Sequence, residues 1–208
     1  MVLDFTFTSD NCNSLPSPSL CSSYQKLSEN LEPFFFSKEL SDIQIKCEDQ
    51  TFDAHQVILS ARSPVFRRMF NNEMKEKKTK EIQIEEIDPR IMQEMLKFIY
   101  TGKCSINDKD ADPMLASELL KAAHRYQLDT LTEMCGDELV STLTPGNALE
   151  LLELADMFRV QGLKTHALDM VVSHVKTIRG SAQWKECAKK SPNLFVEITD
   201  AVLDRFAF

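Results

Sequence analysis

Histidine and cysteine are the residue types of this sequence best suited to metal binding or to proton and nucleophile chemistry. The chain has 4 histidines and 6 cysteines. No two of the cysteines have the CxxC spacing that is typical of a structural zinc site. His166 and His174 are too far apart in sequence to be two ligands on successive turns of one helix. The sequence therefore predicts structural or surface roles for the histidines and no metal site.

Other catalytic motifs are also missing from the sequence. The 5 glycines do not cluster into a phosphate-binding loop, and neither a GxSxG nucleophile elbow nor an HExxH motif occurs. Glu85 and Glu86 form an adjacent carboxylate pair, but they stand beside the Asp88–Pro89 turn without a positioned partner, as is typical of a solvated surface. We interpret the protein as a non-enzyme that uses no cofactor.

The balance of charge limits the classes of partner. Lys and Arg number 24 against 32 Asp and Glu, which gives a net charge of −8. Nucleic-acid binding needs a basic surface, so we expect no nucleic-acid partner. No apolar stretch is long enough to span a membrane, and the N-terminus does not have the pattern of a secretory signal. We therefore expect free thiols and a cytoplasmic or nuclear location.

The N-terminal residues have the composition of a flexible connection. Residues 8–23 are rich in Ser, Asn and Pro, which disfavour packed structure. Leu3, Phe5 and Phe7 alternate with polar residues as in a short strand, but a lone strand is not stable by itself. We expect residues 1–23 to form a linker or disordered arm.

An amphipathic helix is predicted after this arm. Leu27, Leu31 and Phe34 recur at helical spacing, although Pro33 should kink the helix. This much apolar surface needs to be covered by the protein's own core or by another subunit. Because symmetric dimers are the commonest oligomers, we expect a two-fold interface on this helix.

A small sheet and a long series of helices make up the rest of the predicted fold. Ile43, Ile45 and Cys47 alternate with polar residues before a polar turn, which predicts a β-hairpin, and residues 81–84 predict a third strand. The later apolar spacing is helical, so the fold class is α/β (α+β), a small sheet capped by helices and followed by a helical extension. Prolines that follow a capping residue predict five helix starts, at Ser63–Pro64, Asp88–Pro89, Asp112–Pro113, Thr144–Pro145 and Ser191–Pro192.

Met74 is unusual because it stands in the charged run of residues 73–80. A flexible apolar side chain exposed beside a carboxylate can anchor a partner protein. The same side chain can instead fold back on the core, and composition alone favours neither interpretation.

Three segments of the sequence carry a family signature, and they are residues 41–70, which include FDAHQVILSARSPVFRRMF, residues 95–102 (MLKFIYTG) and residues 119–128 (LLKAAHRYQL). These segments resemble the BTB/POZ domain family, and the sequence is most similar to the speckle-type POZ (MATH-BTB) group within it. The similarity covers residues 24–143, and residues 144–208 resemble that group's 3-box and a partial BACK extension. The resemblance implies a BTB/POZ fold, in which helices wrap a small sheet and the first helix forms a dimer.

The resemblance also implies a role as a dimeric adaptor that links a substrate to a cullin-3 RING ubiquitin ligase. In this family a hydrophobic-x-Glu motif helps to bind the N-terminal domain of cullin-3, and it falls here on Met74 and Glu76. The implied cullin-binding residues are Met74, Glu76, Tyr126, Asp129, Leu151, Leu154 and Phe158. The implied dimer-interface residues are Leu27, Leu31, Phe34 and Ile58.

Asp42, His55 and Arg62 fall at signature positions of the family. Because buried polar groups need partners, we expect these three residues to form a structural polar network near the dimer interface. In transcription-factor relatives the same region forms a partner pocket, which stays an alternative.

Two further functions stay open at this point. The MATH-BTB group normally carries an upstream MATH domain that captures substrate, and none is evident in this sequence. One alternative is therefore an oligomerisation module that forms heterodimers with full-length MATH-BTB proteins and modulates them. The other is a BTB domain that binds a co-repressor. The sequence does not identify a substrate.

Overall fold

A computed structural model describes residues 18–71, 80–108, 112 and 114–206 of the chain. A sheet of three strands lies near the N-terminal end of the described part. Strand β1 (Ile43–Cys47) is central. It pairs antiparallel with β2 (Gln50–Ala54) and parallel with β3 (Glu81–Ile84). Alternate residues of β1 are buried, as expected for a sheet with one face on the core. The predicted hairpin and third strand are therefore confirmed.

Helices form the rest of the described chain. The first is α1 (Pro18–Phe36), which starts earlier than we predicted. Residues 18–23 are therefore helical, whereas we predicted them as part of a linker. The strand predicted around Leu3, Phe5 and Phe7 lies outside the described residues.

Ten further helices follow in the described part of the chain, and a short 3-10 helix (Ser105–Asn107) stands between two of them. They are α2 (Gln56–Arg62), α3 (Pro64–Asn71), α4 (Pro89–Thr101), α5 (Leu115–Arg125), α6 (Asp129–Ser141), α7 (Ala148–Phe158), α8 (Gln161–Ser173), α9 (Val175–Ile178), α10 (Ala182–Lys190) and α11 (Pro192–Phe206).

Three of the five predicted proline starts are the first residues of helices, at Pro64, Pro89 and Pro192. The cap of α4 is formed by Asp88, whose Oδ1 accepts a hydrogen bond from the Arg90 N–H at 2.8 Å. Helix α7 begins at Ala148 instead of Pro145. There the Asn147 side chain accepts from the Thr144 N–H at 2.7 Å, and this local turn delays the helix.

Two hydrophobic cores share helix α7. The first core joins the sheet to α4, α5 and α6 and includes Leu151 and Ala155 of α7. The second core joins α7 to the C-terminal helices and includes Leu149 and Leu152. Because one face of α7 packs in the first core and the adjacent face packs in the second, the helical extension is packed against the part of the chain that contains the sheet.

Gly136 on α6 lies close against Val160, the residue that precedes α8. A Cβ at residue 136 would lie 2.6 Å from Val160 Cγ1, so we expect Gly136→Ala to lower the free energy of unfolding by about 1–3 kcal/mol. Urea unfolding measures this loss. Gly162→Ala is the matched control, since a Cβ there meets nothing within 4 Å and should be neutral or stabilise α8 by up to about 1 kcal/mol.

Removing the Val160 side chain tests the same contact from the other side. In the Gly136→Ala background, Val160→Ala should recover part of the lost stability, because it removes the clashing methyl group. Equal stability of Gly136→Ala and Gly162→Ala would show that α8 moves away without cost.

Candidate interaction surfaces

Helix α1 packs along α4, and three contacts determine which of its faces points inward. Ser28 Oγ donates a hydrogen bond to the carbonyl oxygen of Thr101 at the end of α4. The rings of Phe35 and Tyr100 lie 5.9 Å apart, and the rings of Phe34 and His55 lie 5.7 Å apart. The last turn of α1 is therefore held against both α4 and the start of α2.

Apolar side chains remain exposed on α1 and α2 beside these contacts. Leu27 is 57% exposed and Val57 is 74% exposed, whereas Leu31, Phe34 and Ile58 are half-buried. We call these five residues the α1–α2 apolar surface. Four of them, all except Val57, are the residues predicted for a dimer interface, and that role stays a prediction. Val57 was not singled out from the sequence, because its place in the apolar run of residues 57–59 gave no sign that it points outward.

His55 is buried and fully hydrogen-bonded. Its Nε2 lies 2.9 Å from the carbonyl oxygen of Glu39, which can only accept, so Nε2 carries the proton. Its Nδ1 then accepts from the Tyr100 hydroxyl at 2.7 Å, and the same hydroxyl oxygen accepts from the His55 N–H at 3.0 Å. Burial raises the pKa of Tyr100 to about 12, so the hydroxyl keeps its proton at neutral pH.

Asp42 and His55 both anchor the start of α2, but Arg62 does not join them. Asp42 Oδ1 accepts from the Gln56 N–H at 2.8 Å. Arg62 lies at the other end of α2, about 10 Å along the helix axis, and its guanidinium stands 5.4 Å from the centroid of the Phe98 ring. The prediction of one network that contains all three residues is therefore wrong, because the whole helix separates Arg62 from the other two.

Two of the predicted cullin-binding residues, Asp129 and Phe158, line one cavity of about 570 Å³. It lies between α6 and the turn that joins α7 to α8. The Phe158 ring packs edge-on against the His124 ring, with 5.2 Å between centroids. One wall is acidic, because α6 presents three carboxylates at successive helical turns, those of Asp129, Glu133 and Asp137.

The other predicted cullin-binding residues are less accessible or lie outside the described residues. Tyr126 is only 3% exposed and stacks on Phe66 with 4.7 Å between ring centroids. Leu151 is buried and Leu154 is half-buried in the core that α7 shares. Tyr126 and Leu151 are therefore core residues, and their role in cullin binding stays a prediction. Met74 and Glu76 are outside the described part, so their assignment stays a prediction.

Cys47, Cys104, Cys135 and Cys187 are free thiols with little tendency to ionise. Cys47 Sγ donates to the Ile87 carbonyl oxygen at 2.7 Å, and burial raises its pKa. Burial also raises the pKa of Cys135 and raises that of Cys187 to about 11. Because the thiolate is the reactive form, these residues act as core side chains and not as nucleophiles.

Within the residues that the structure describes, no three His, Cys, Asp or Glu side chains are grouped so as to hold a metal ion. No helix there combines the length and the apolar character needed to cross a bilayer.

A family model for the BTB/POZ domain matches residues 31–143, which is more than half of the chain. This chain belongs to the BTB/POZ family. The match, the three-stranded sheet and the surrounding helices confirm the predicted fold class, with a helical extension after the domain. A BTB/POZ domain is a protein-interaction module, so the exposed apolar and charged surfaces described above are candidate contact sites.

Curated relatives of this BTB/POZ protein come from Mus musculus. TD and POZ domain-containing protein 4 is 38% identical over 76% of this chain and 42% of its own length. TD and POZ domain-containing protein 5 is 34% identical over 81% of this chain and 48% of its own length. The chain thus spans less than half the length of these relatives. Their names refer to TD and POZ domains, and placement in the speckle-type group stays a prediction.

Among solved structures, a similar one is the BTB domain of zebrafish PATZ1. It shares 20% sequence identity, has a TM-score of 0.45, and the match covers 67% of this chain and 100% of that chain.

Proposed function

We propose that this protein is a dimeric adaptor whose BTB domain binds the N-terminal domain of cullin-3 and thereby brings a partner to a ubiquitin ligase. The main support for a dimer is the α1–α2 apolar surface. Leu27 and Val57 are large apolar side chains exposed to water at 57% and 74%. Covering such side chains in a self-complementary contact removes apolar area from water and stabilises a symmetric pair.

The proposal of a cullin groove rests on the family and on the cavity between α6 and the α7–α8 turn. That cavity contains Asp129 and Phe158, two of the residues that the resemblance implies. Its volume of about 570 Å³ and its mixed apolar and acidic lining suit a protruding segment of a protein partner.

Binding of purified cullin-3 N-terminal domain to the full chain tests this function. We expect the Met74→Ala, Glu76→Ala double variant to lose at least about tenfold in affinity, since anchor residues in interfaces commonly contribute this much. Isothermal titration calorimetry measures the change. Met114→Ala is the control, because Met114 is an exposed methionine at 63% in a different segment. If the wild type and the double variant bind cullin-3 with equal affinity, the assignment of Met74 and Glu76 to the cullin-binding motif is wrong.

A second candidate is an oligomerisation module that pairs with longer relatives. It is favoured by the α1–α2 apolar surface, which a related BTB domain could cover as well as a second copy of this chain. Co-expression with a longer relative distinguishes the two. Heterodimers that form without any binding of cullin-3 support this candidate and contradict the adaptor.

We further propose a cytoplasmic or nuclear location. It is supported by the free thiols of Cys47, Cys104, Cys135 and Cys187, because a reducing compartment keeps thiols unpaired.

A further inference from the structure

A cavity of about 280 Å³ lies where the junction of α2 and α3 faces the turn between α5 and α6. Hydrogen bonds tie its two walls together. The buried Ser63 Oγ donates to the Tyr126 carbonyl oxygen at 2.7 Å, and Arg68 Nη2 donates to Gln127 Oε1 at 2.7 Å. The relative position of the walls is therefore set by the fold and not by mobile side chains alone.

Two guanidinium groups line this cavity. Arg62 stacks over the Phe98 ring, an arrangement that leaves the N–H groups at the edge of the guanidinium free to donate. Arg67 donates through Nε to the Ser60 carbonyl oxygen at 3.0 Å, which orients its head and leaves its terminal N–H groups free. Within the described residues neither group pairs with a carboxylate, in contrast to Arg90, Arg125 and Arg205.

The opposite wall begins helix α6. Asp129 and Thr130 line the cavity, and no side chain caps the first turn of this 13-residue helix. The uncapped N–H groups add a partial positive charge of about one half. Asp129 is the only acidic residue among those that line the cavity. Two guanidinium groups and the helix end thus outweigh one carboxylate, which leaves an excess of positive charge in a protein of net charge −8.

We propose that this cavity binds a phosphate monoester carried on a serine or threonine side chain of a partner protein. Such a group carries about −1.5 to −2 charges at pH 7 and three acceptor oxygens, which matches two guanidinium groups, the Thr130 hydroxyl and the helix end. A carboxylate needs only one bidentate arginine. Pockets for drug-sized ligands have volumes of about 300–1,000 Å³, so this cavity of about 280 Å³ is large enough for a phosphorylated side chain.

Titration of the full chain with short peptides tests the site. The probes are acetylated and amidated Gly-phosphoserine-Gly, the same peptide without phosphate, and inorganic phosphate. We expect the phosphopeptide to shift the NMR signals of Arg62 Nε–H, Arg67 Nε–H and the Thr130 amide saturably. Its affinity should exceed that of the unphosphorylated peptide by at least about tenfold, because charge-assisted hydrogen bonds are lost without the phosphate.

Variants assign the response to this cavity. The Arg62→Gln, Arg67→Gln double variant should lose it, and both residues are exposed, so the fold should persist. Asp129→Asn should bind more tightly, since it removes the opposing charge. Arg90→Gln is the control, because Arg90 pairs with Asp88 and lies outside this cavity.

Two results would overturn the proposal. One is equal affinity for the two peptides, and the other is a response that the double variant retains. If inorganic phosphate binds more tightly than the phosphopeptide, the ligand is free phosphate and not a phosphorylated side chain of a partner protein. These outcomes do not depend on cullin-3, so this inference and the adaptor proposal can fail separately.

Discussion

Replacing Leu27 with aspartate should halve the molar mass of the protein in solution. In a dimer that pairs through the α1–α2 apolar surface, the substitution buries two uncompensated carboxylates at the interface. The free energy of removing these charges from water exceeds what the remaining apolar contacts supply, so the subunits should separate at micromolar concentration. Light scattering coupled to gel filtration measures the mass directly.

The design depends on the exposure of Leu27 within one subunit. At 57% exposure its side chain contributes little to the monomer's core, so Leu27→Asp should change monomer stability by no more than about 0.5 kcal/mol. Leu203→Asp is the matched control, because Leu203 is a similarly exposed leucine at 65% on α11. A dimer that survives Leu27→Asp but dissociates with Leu203→Asp would assign the interface to the C-terminal helices. A wild-type monomer would remove the interface altogether.

Stability should fall steeply between pH 10 and pH 12. Burial raises the pKa of both Tyr100 and Tyr126 from 10.0 to about 12. Between these values the unfolded chain ionises its tyrosines while the folded protein keeps them protonated. The stabilisation is thus complete below pH 10 and is lost as pH rises to 12, at about 1.4 kcal/mol per unit for each tyrosine. The combined loss is on the order of 5 kcal/mol at pH 12.

Phenylalanine variants separate the two tyrosines in urea unfolding series at several pH values. Each variant should lose about half of the alkaline slope. At pH 7, Tyr100→Phe should cost about 1–3 kcal/mol, because the buried N–H and Nδ1 of His55 lose their partner. Tyr126→Phe should cost less, since no hydrogen bond of its hydroxyl is found within the described part of the chain. An unchanged slope in both variants would assign the alkaline loss to other groups.

Local signals in the sequence predicted much of this fold. Alternation at Ile43, Ile45 and Cys47 predicted the hairpin, and the pairs Asp88–Pro89 and Ser191–Pro192 predicted the starts of α4 and α11. These features depend on a few adjacent residues. The start of α1 was missed because a Ser- and Pro-rich composition describes both a linker and a capped helix end.

The candidate sites were less predictable, because burial depends on contacts between distant segments. Family similarity gave Tyr126 and Asp129 the same role, yet the fold buries the first beneath Phe66 and exposes the second on a cavity. Arg62 and His55 are close in sequence, but the length of α2 places them at opposite ends of a helix. The cavity that Arg62 shares with Asp129 joins residues more than sixty positions apart, which no local pattern indicates.

The packing of helix α7 in two cores has a mechanical consequence. Since adjacent faces of α7 are embedded in two cores, the C-terminal helices cannot move independently of the sheet. These helices instead form a rigid extension of the domain, and a protein bound to α11 would keep a fixed orientation relative to the sheet. The distance from the sheet to a protein bound there is then set by the packed helices, and lengthening a neighbouring loop would not increase this distance.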